Sequence, residues 1–525
     1  MRHYTLARPV PRRLSPLRAG VIAAVTLASL AGCSASATTQ SGAKSTTLTI
    51  AMQQAPPSLD PAQANNTFWN YFDLAYDPLI VQAPDGTFQP GLATSWSYGP
   101  NNESFSLKLR SQVRFSDGTA FDAAAVKTWI NYALKYPGGA APGYLGALTS
   151  IDVTGPLSLT MNFKSPTPSL PLVFSQLLEV GEIGSPKGIS GKTLSTGTDG
   201  AGEYELDKAQ TVTNDHYTYV PNPYYWNKSA IHWKQVVIKV IANPNAALSA
   251  LETGQVQVAE NLPITDASAA KRSGQQVVAP LALMMALDLF DANGHLVKAL
   301  GDVRVRQALN YAVDRNAIAN LLGKGYGAPL GQMAIKGDDA YDPAIENQYA
   351  YNPAKAKQLL AQAGYANGFS FTALSWNQVQ QDTMTEALAG QLAKVGVTLR
   401  PDIKSNIADV TSAFSSTNYP AAAISWGRLP AVFQYQLLWG PEASQANPFR
   451  IKSPTLDAIY DRLVRAPNSQ SSAIAQEMMR YLMQQAWFIP AAATPLAVFY
   501  SPTVTNVNAT QTRIQDYAVE DRPAS

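Results

Sequence analysis

One cysteine, Cys33, stands in a chain of 525 residues. No internal disulfide can form, so the fold must be held by core packing and hydrogen bonding alone. Cys33 closes the stretch "LASLAGC". Before it come Arg2, Arg8, Arg12, Arg13 and Arg18, then the apolar run "AGVIAAVTLASLAG", with no acidic residue anywhere ahead of the thiol. That charge and hydropathy layout is that of a signal peptide. A bilayer core of ~30 Å needs ~20 apolar residues to be spanned as a helix. This run is shorter and gives way to Ser and Thr, so it predicts export, not a stable span.

Leu30, Ala31 and Gly32 ahead of Cys33 look like the lipobox of bacterial lipoproteins, in which the thiol is acylated and the chain is cut just before it. A secreted form cut after Ala35 or Ala37 is the alternative. Two acyl chains are what stable anchoring generally requires, so a diacylated Cys33 predicts a protein held at the extracytoplasmic face of the cell membrane. Residues 1–32 are then the leader, and residues 33–45, small and polar, a flexible tether.

The remainder is too long for one ordinary domain, and 46% hydrophobic with 14% charged residues is the composition of a globular protein. Removing the five leader arginines leaves 34 basic residues against 37 acidic, which argues against a nucleic-acid partner. From Thr47, strand-like runs dominate: "TLTIAM", "SFSLKLR", "LSLTMNF" and "HYTYV". One helix interrupts them, "DAAAVKTWINYAL", with Asp122 as its cap. Beyond about residue 290 helices alternate with short strands. "YNPAKAKQLLAQAGY" has Asn352 as N-cap, Pro353 at the first helical position and Gly364 past the end. "DTMTEALAGQLAKVG" turns Met384, Leu388, Leu392 and Val395 inward and stops at Gly396, and the strand "VTLRPDI" follows. This alternation favours an α/β fold.

The order of several segments is more specific than any of them singly. "PPSLDP" (56–61), "YDPLI" (76–80), "DGTFQPGLATSW" (85–96), "LRSQVRFSDGTAFDAAAVK" (109–127), "YVPNPYYW" (219–226), "VRQALNYAVDR" (305–315) and "KAKQLLAQAGY" (355–365) together resemble the oligopeptide/dipeptide-binding family of extracytoplasmic solute-binding proteins that serve ABC importers. Taken one by one these are fold signals: Asp-Gly turns at 85 and 117, packed strand aromatics in "NPYYW", and a core-facing helix in "VRQALNYAVDR".

The resemblance implies a bilobal α/β fold of the periplasmic-binding-protein type, type II, with an additional domain inserted in lobe I and two hinge crossings. Lobe I is expected over 46–82, 205–285 and 493–525, the inserted domain over 83–204, and lobe II over 286–492. The crossings are expected within "ALMMALDLF" and "WFIPAAATPLAVF". The implied function is capture of a peptide or peptide-like solute between closing lobes and delivery to an ABC permease, by a monomer without cofactor or metal. A non-peptide solute (saccharide, anionic metabolite, metal chelate), or a sensor or adhesin on the same fold, is the alternative.

The resemblance also places cleft walls at Trp69, Asn70 and Tyr71 in lobe I and at Trp376, Asn377, Trp426 and Arg428 in lobe II. "ISWG" matches the family's Gly-Trp ligand segment. Peptide-binding relatives carry an Asp about three residues after that Trp, to pair with a ligand's α-ammonium. Here Leu429 stands there, with no acid until Glu442, while Arg428 offers a donor fork suited to an anion. The expectation is therefore a solute not read through a free N-terminal amine, unless an acid such as Asp60 or Asp382 takes the vacant place.

A secreted hydrolase finds little support. The histidines are His3, His216, His232 and His295, with no H-E-x-x-H spacing and no G-x-S-x-G elbow. "GKT" at 191–193 has Pro186 where a phosphate loop needs its first Gly.

Overall fold

The computed structural model describes residues 46–63, 68–414, 416–443, 446–510 and 518–524. The expected leader, Cys33 and the expected tether lie outside the described residues.

Among the described residues a seven-stranded, a six-stranded and a four-stranded sheet carry the fold. In the first, Thr47–Met52 lies between two parallel neighbours, Gln235–Val240 and Val258–Glu260, with antiparallel strands outside them. This is the sheet of lobe I. The four-stranded sheet is antiparallel, runs from Ala93 to Phe163, and packs the capped helix Ala123–Ala133 over a core of its own that includes Phe105, Trp129, Met161 and Phe174. It is the inserted domain. Asp122 caps that helix by accepting from the Ala125 N–H at 2.8 Å.

The six-stranded sheet belongs to lobe II, in the order Ala328–Pro329, Phe488–Pro495, Leu281–Asp288, Ala421–Gly427, Phe369–Trp376, Val397–Lys404. Its central strands are apolar on both faces because both faces are covered. Met284, Ala286 and Ile424 enter one core, while Met285, Leu287 and Ala423 enter the other. The helices read from periodicity supply that cover, with Met384, Leu388 and Leu392 of Gln381–Ala393 and Val305, Ala308 and Leu309 of Val303–Tyr311 all buried.

The sheets change hands at two places. Strand Gln276–Val278 belongs to lobe I and Leu281–Asp288 wholly to lobe II; Phe488–Pro495 belongs to lobe II and Val498–Tyr500 to lobe I. The crossings therefore fall at residues 279–280, just ahead of "ALMMALDLF", and at 496–497, inside "WFIPAAATPLAVF". The reason is local. Pro280 has no N–H to continue the first ladder, whereas "ALMMALDLF" reads as one uninterrupted strand. The two crossings run side by side and antiparallel: Val278 registers with Val498, Leu281 with Pro495, and the Leu496 N–H donates to the Pro280 carbonyl at 3.2 Å.

"NPYYW" is not strand. It turns after His216–Pro221, leaving Tyr224 exposed, while Trp226 donates from Nε1 to Asp77 at 2.8 Å and stacks under the Arg110 guanidinium at 3.9 Å.

Candidate ligand cleft

In open α/β sheets ligands collect beyond the carboxyl ends of parallel strands. In lobe I, Thr47–Met52 and Val258–Glu260 end level, because Ile50 registers with Val258 and Ala51 with Ala259. Asn70, on the short helix Trp69–Asp73, donates from Nδ2 to Glu260 Oε1 at 3.3 Å across those ends. Glu260 itself registers with Val498, just past the second crossing. The predicted Asn70 thus sits at the hinge edge of lobe I. Trp69 is 5% exposed, and its Nε1–H makes no hydrogen bond among the described residues. Tyr71 is different: fully buried, it joins the lobe I core and donates to the Gln54 carbonyl at 3.0 Å.

In lobe II, Phe369–Trp376 and Ala421–Gly427 are parallel neighbours, with Leu374 opposite Ala422. Side chains two apart share a face, so Trp376 and Trp426 emerge on the same face at the carboxyl ends of adjacent strands. Trp426 registers with Met284, close to the first crossing. Both indoles are partly buried with Nε1–H unpartnered among the described residues. A buried donor without an acceptor costs about 1–3 kcal/mol, so this edge gains from an acceptor that the described residues do not supply. Asn377 is exposed on the loop that follows Trp376.

Arg428 meets an acid that the sequence around it does not announce. Part of its fork is already taken: Nε donates to Asp338 Oδ1 at 2.7 Å and Nη2 to the same oxygen at 2.5 Å, with the two side chains 9% and 8% exposed, while Nη1 has no partner among the described residues. The acid that is absent after Trp426 arrives from another loop. Gly337, at φ +102°, makes the turn that presents Asp338 and Asp339. Asp338 also accepts the Ile335 N–H at 2.8 Å. Asp339 accepts the Ala431 N–H at 3.1 Å on either oxygen, remains partly exposed, and is pushed up to about 6 by burial and, secondarily, by Asp338. Asp60 and Asp382 are placed otherwise. Asp60 accepts from Tyr132 Oη at 2.5 Å and the Ala62 N–H at 3.0 Å, and Asp382 sits in the first turn of Gln381–Ala393.

Arg428, Asp338 and Asp339 line a cavity of about 480 Å3 whose other wall is the inserted domain, a volume within the range of small-molecule sites. By formal charge, two carboxylates against one guanidinium, the trio sums to one negative. The sequence signal for it was "KGDDA", a glycine ahead of paired acids.

Two lobes joined by a paired crossing, with strand ends and a cavity between them, define a hinged solute-binding protein. The comparisons agree. The description "Bacterial extracellular solute-binding proteins, family 5 Middle" fits residues 87–444, and the chain belongs to that family. It is similar to the glutathione-binding protein GsiB of Salmonella paratyphi A, 27% identical over 361 residues, and to GsiB of Escherichia coli K12, 26% identical over 357. Each match covers 65% of this chain and 66% of the relative, so the chain spans about two thirds of the length of these relatives. Among solved structures it is similar to HbpA2 from Haemophilus parasuis (TM-score 0.79, 19% identity, 91% of this chain and 100% of that one). It is also similar to DppA from Helicobacter pylori in complex with the peptide STSA (TM-score 0.71, 19% identity, 91% and 98%). These likenesses show the fold.

Proposed function

We propose that this protein is a membrane-anchored extracytoplasmic receptor that closes on a peptide or peptide-like solute and hands it to an ABC permease. It acts without catalysis, and the lipid on Cys33 holds it at the membrane. The observation that carries the ligand class is the Asp339 carboxylate, partly exposed in the interlobe cavity beside an Arg428 already neutralised by Asp338. A site with one uncompensated negative charge suits an ammonium group, and the unpartnered indole N–H groups of Trp376 and Trp426 suit peptide carbonyls. Relatives named for glutathione, and one solved with a peptide, support the same class. This replaces the expectation that a free amine is not recognised, because its premise, no acid near the Trp426 segment, is removed by the loop at 337–339.

Calorimetry on the mature protein with matched free and N-acetylated tripeptides tests the reading. Free peptides should bind, and acetylation should weaken them by about 2 kcal/mol, the size of a charge-assisted hydrogen bond. Equal affinity for both forms overturns the amine reading.

A further inference from the structure

The inserted domain is more than a spacer in this fold, because lobe II closes onto it. Asn102, buried on a turn of the inserted domain, donates from Nδ2 to the carbonyls of Val464 and Ala466 at 3.0 and 3.2 Å, at the carboxyl end of the lobe II helix Pro454–Arg465. Nearby, Arg465 reaches Glu103 at 3.6 Å. Tyr144 meets Phe433 edge-on at 5.5 Å, and Phe433, a lobe II residue, is 6% exposed within the inserted domain's own core. Leu463 and Ala466, at the end of that helix, also line the cavity of about 480 Å3.

Its walls differ in chemistry. One end is Asp338, Asp339 and Arg428. Elsewhere polar residues, Asp85 and Asn468 among them, share the lining with an apolar set, Phe88, Leu172 and Leu177 from the inserted domain and Leu429, Pro430 and Val432 from lobe II. Phe88 is 36% exposed, which leaves part of its ring uncovered. A cleft served by lobes I and II alone would not need an apolar wall there. An apolar group entering the space would bury surface on both jaws at once, and so would favour the closed state over the open one.

We infer that this cavity takes one bulky apolar group of the solute, an aromatic or branched aliphatic side chain adjacent to the ammonium, so that the inserted domain selects the ligand. The inference rests on the solute-receptor reading above, and it deepens that reading by naming the group beside the amine. It places specificity on Leu172, Leu177 and Phe88, which belong to the inserted domain and not to the strands that carry the tryptophans.

The probes are Phe-Ala-Ala and Ala-Ala-Ala, titrated by calorimetry into wild type, Leu177→Asp and Phe88→Ala. Phe88→Ala is the milder change and keeps the experiment decisive if Leu177→Asp fails to fold. Wild type should prefer Phe-Ala-Ala by at least tenfold, and either variant should lose most of that preference while keeping its affinity for Ala-Ala-Ala. A wild type that binds both peptides equally, or variants that keep the full preference, overturn the inference and leave the peptide reading standing. If wild type binds neither peptide, the peptide reading fails, and phenethylamine, ring and ammonium alone, decides the cavity by saturation-transfer NMR. A ring signal in wild type that is lost in the variants supports the inference; no ring signal in wild type overturns it.

Discussion

Replacing Asn102 by glycine should open the jaws. Asn102 adopts φ +57°, in the left-handed region, where an alanine would add backbone strain and glycine does not. Asn102→Gly therefore removes the side-chain amide without distorting the turn. Two hydrogen bonds to lobe II carbonyls are lost, each contributing about 0.5–1.5 kcal/mol net, so the closed state should weaken by about 1–3 kcal/mol. At 1.4 kcal/mol per tenfold, the closed-to-open ratio falls roughly 5- to 150-fold. The remaining clasp is smaller. The half-exposed Glu103–Arg465 pair adds about 0–1 kcal/mol, and the Tyr144–Phe433 edge contact about 0.5–1.5. Double electron–electron resonance reads the ratio directly, with spin labels at the exposed positions Thr149 and Gln470 in a Cys33→Ser background. Wild type should show a short-distance population that the variant depletes. Identical distributions in the two proteins, or no short-distance population in wild type, would refute the clasp.

Other outcomes follow from single residues. Asp339 is raised by burial from 3.8 to about 6, so its contribution to stability is fully present below pH 3.8 and is lost as pH rises through about 6. Asp339→Asn should stabilise the fold by about 2 kcal/mol at pH 7.5 and by almost nothing at pH 4, as read by urea denaturation, the figure allowing for the solvent that reaches the side chain. The same substitution should weaken binding of a free tripeptide at pH 7.5, in the opposite sense to its effect on stability. Trp426→Ala, at a partly buried strand end, should cost tenfold or more in peptide affinity while moving the melting temperature little; a large drop in melting temperature with affinity intact would make the indole a core residue. Cys33→Ser should release the protein from the membrane fraction of an expressing bacterium, and undiminished attachment would contradict the lipid anchor.

How far the sequence could be read depended on whether the information was local. Capping and periodicity are local, and the helices at Ala123–Ala133, Pro353–Gln362 and Gln381–Ala393 were legible from Asp122, Asn352 with Pro353, and the Met384–Leu388–Leu392 spacing. The hinges were half legible: the strands were visible, but Pro280 decides where one sheet hands over to the other. The partners across the cleft were not legible. Arg428 and Asp338 are ninety residues apart, and nothing in "SWGRLP" announces that its arginine is already paired. Tyr71 shows the converse error, since an aromatic beside Asn70 invites a ligand role whereas the turn of the helix sends it into the core.

The central claim is closure of two lobes on a solute. Small-angle scattering tests it most directly, on mature protein alone and then saturated with the free tripeptide that binds best by calorimetry. The account predicts a smaller radius of gyration in the saturated sample, with Asn102→Gly lying nearer the open value before ligand is added. A radius of gyration unchanged at saturation, with binding confirmed in the same sample, would contradict it.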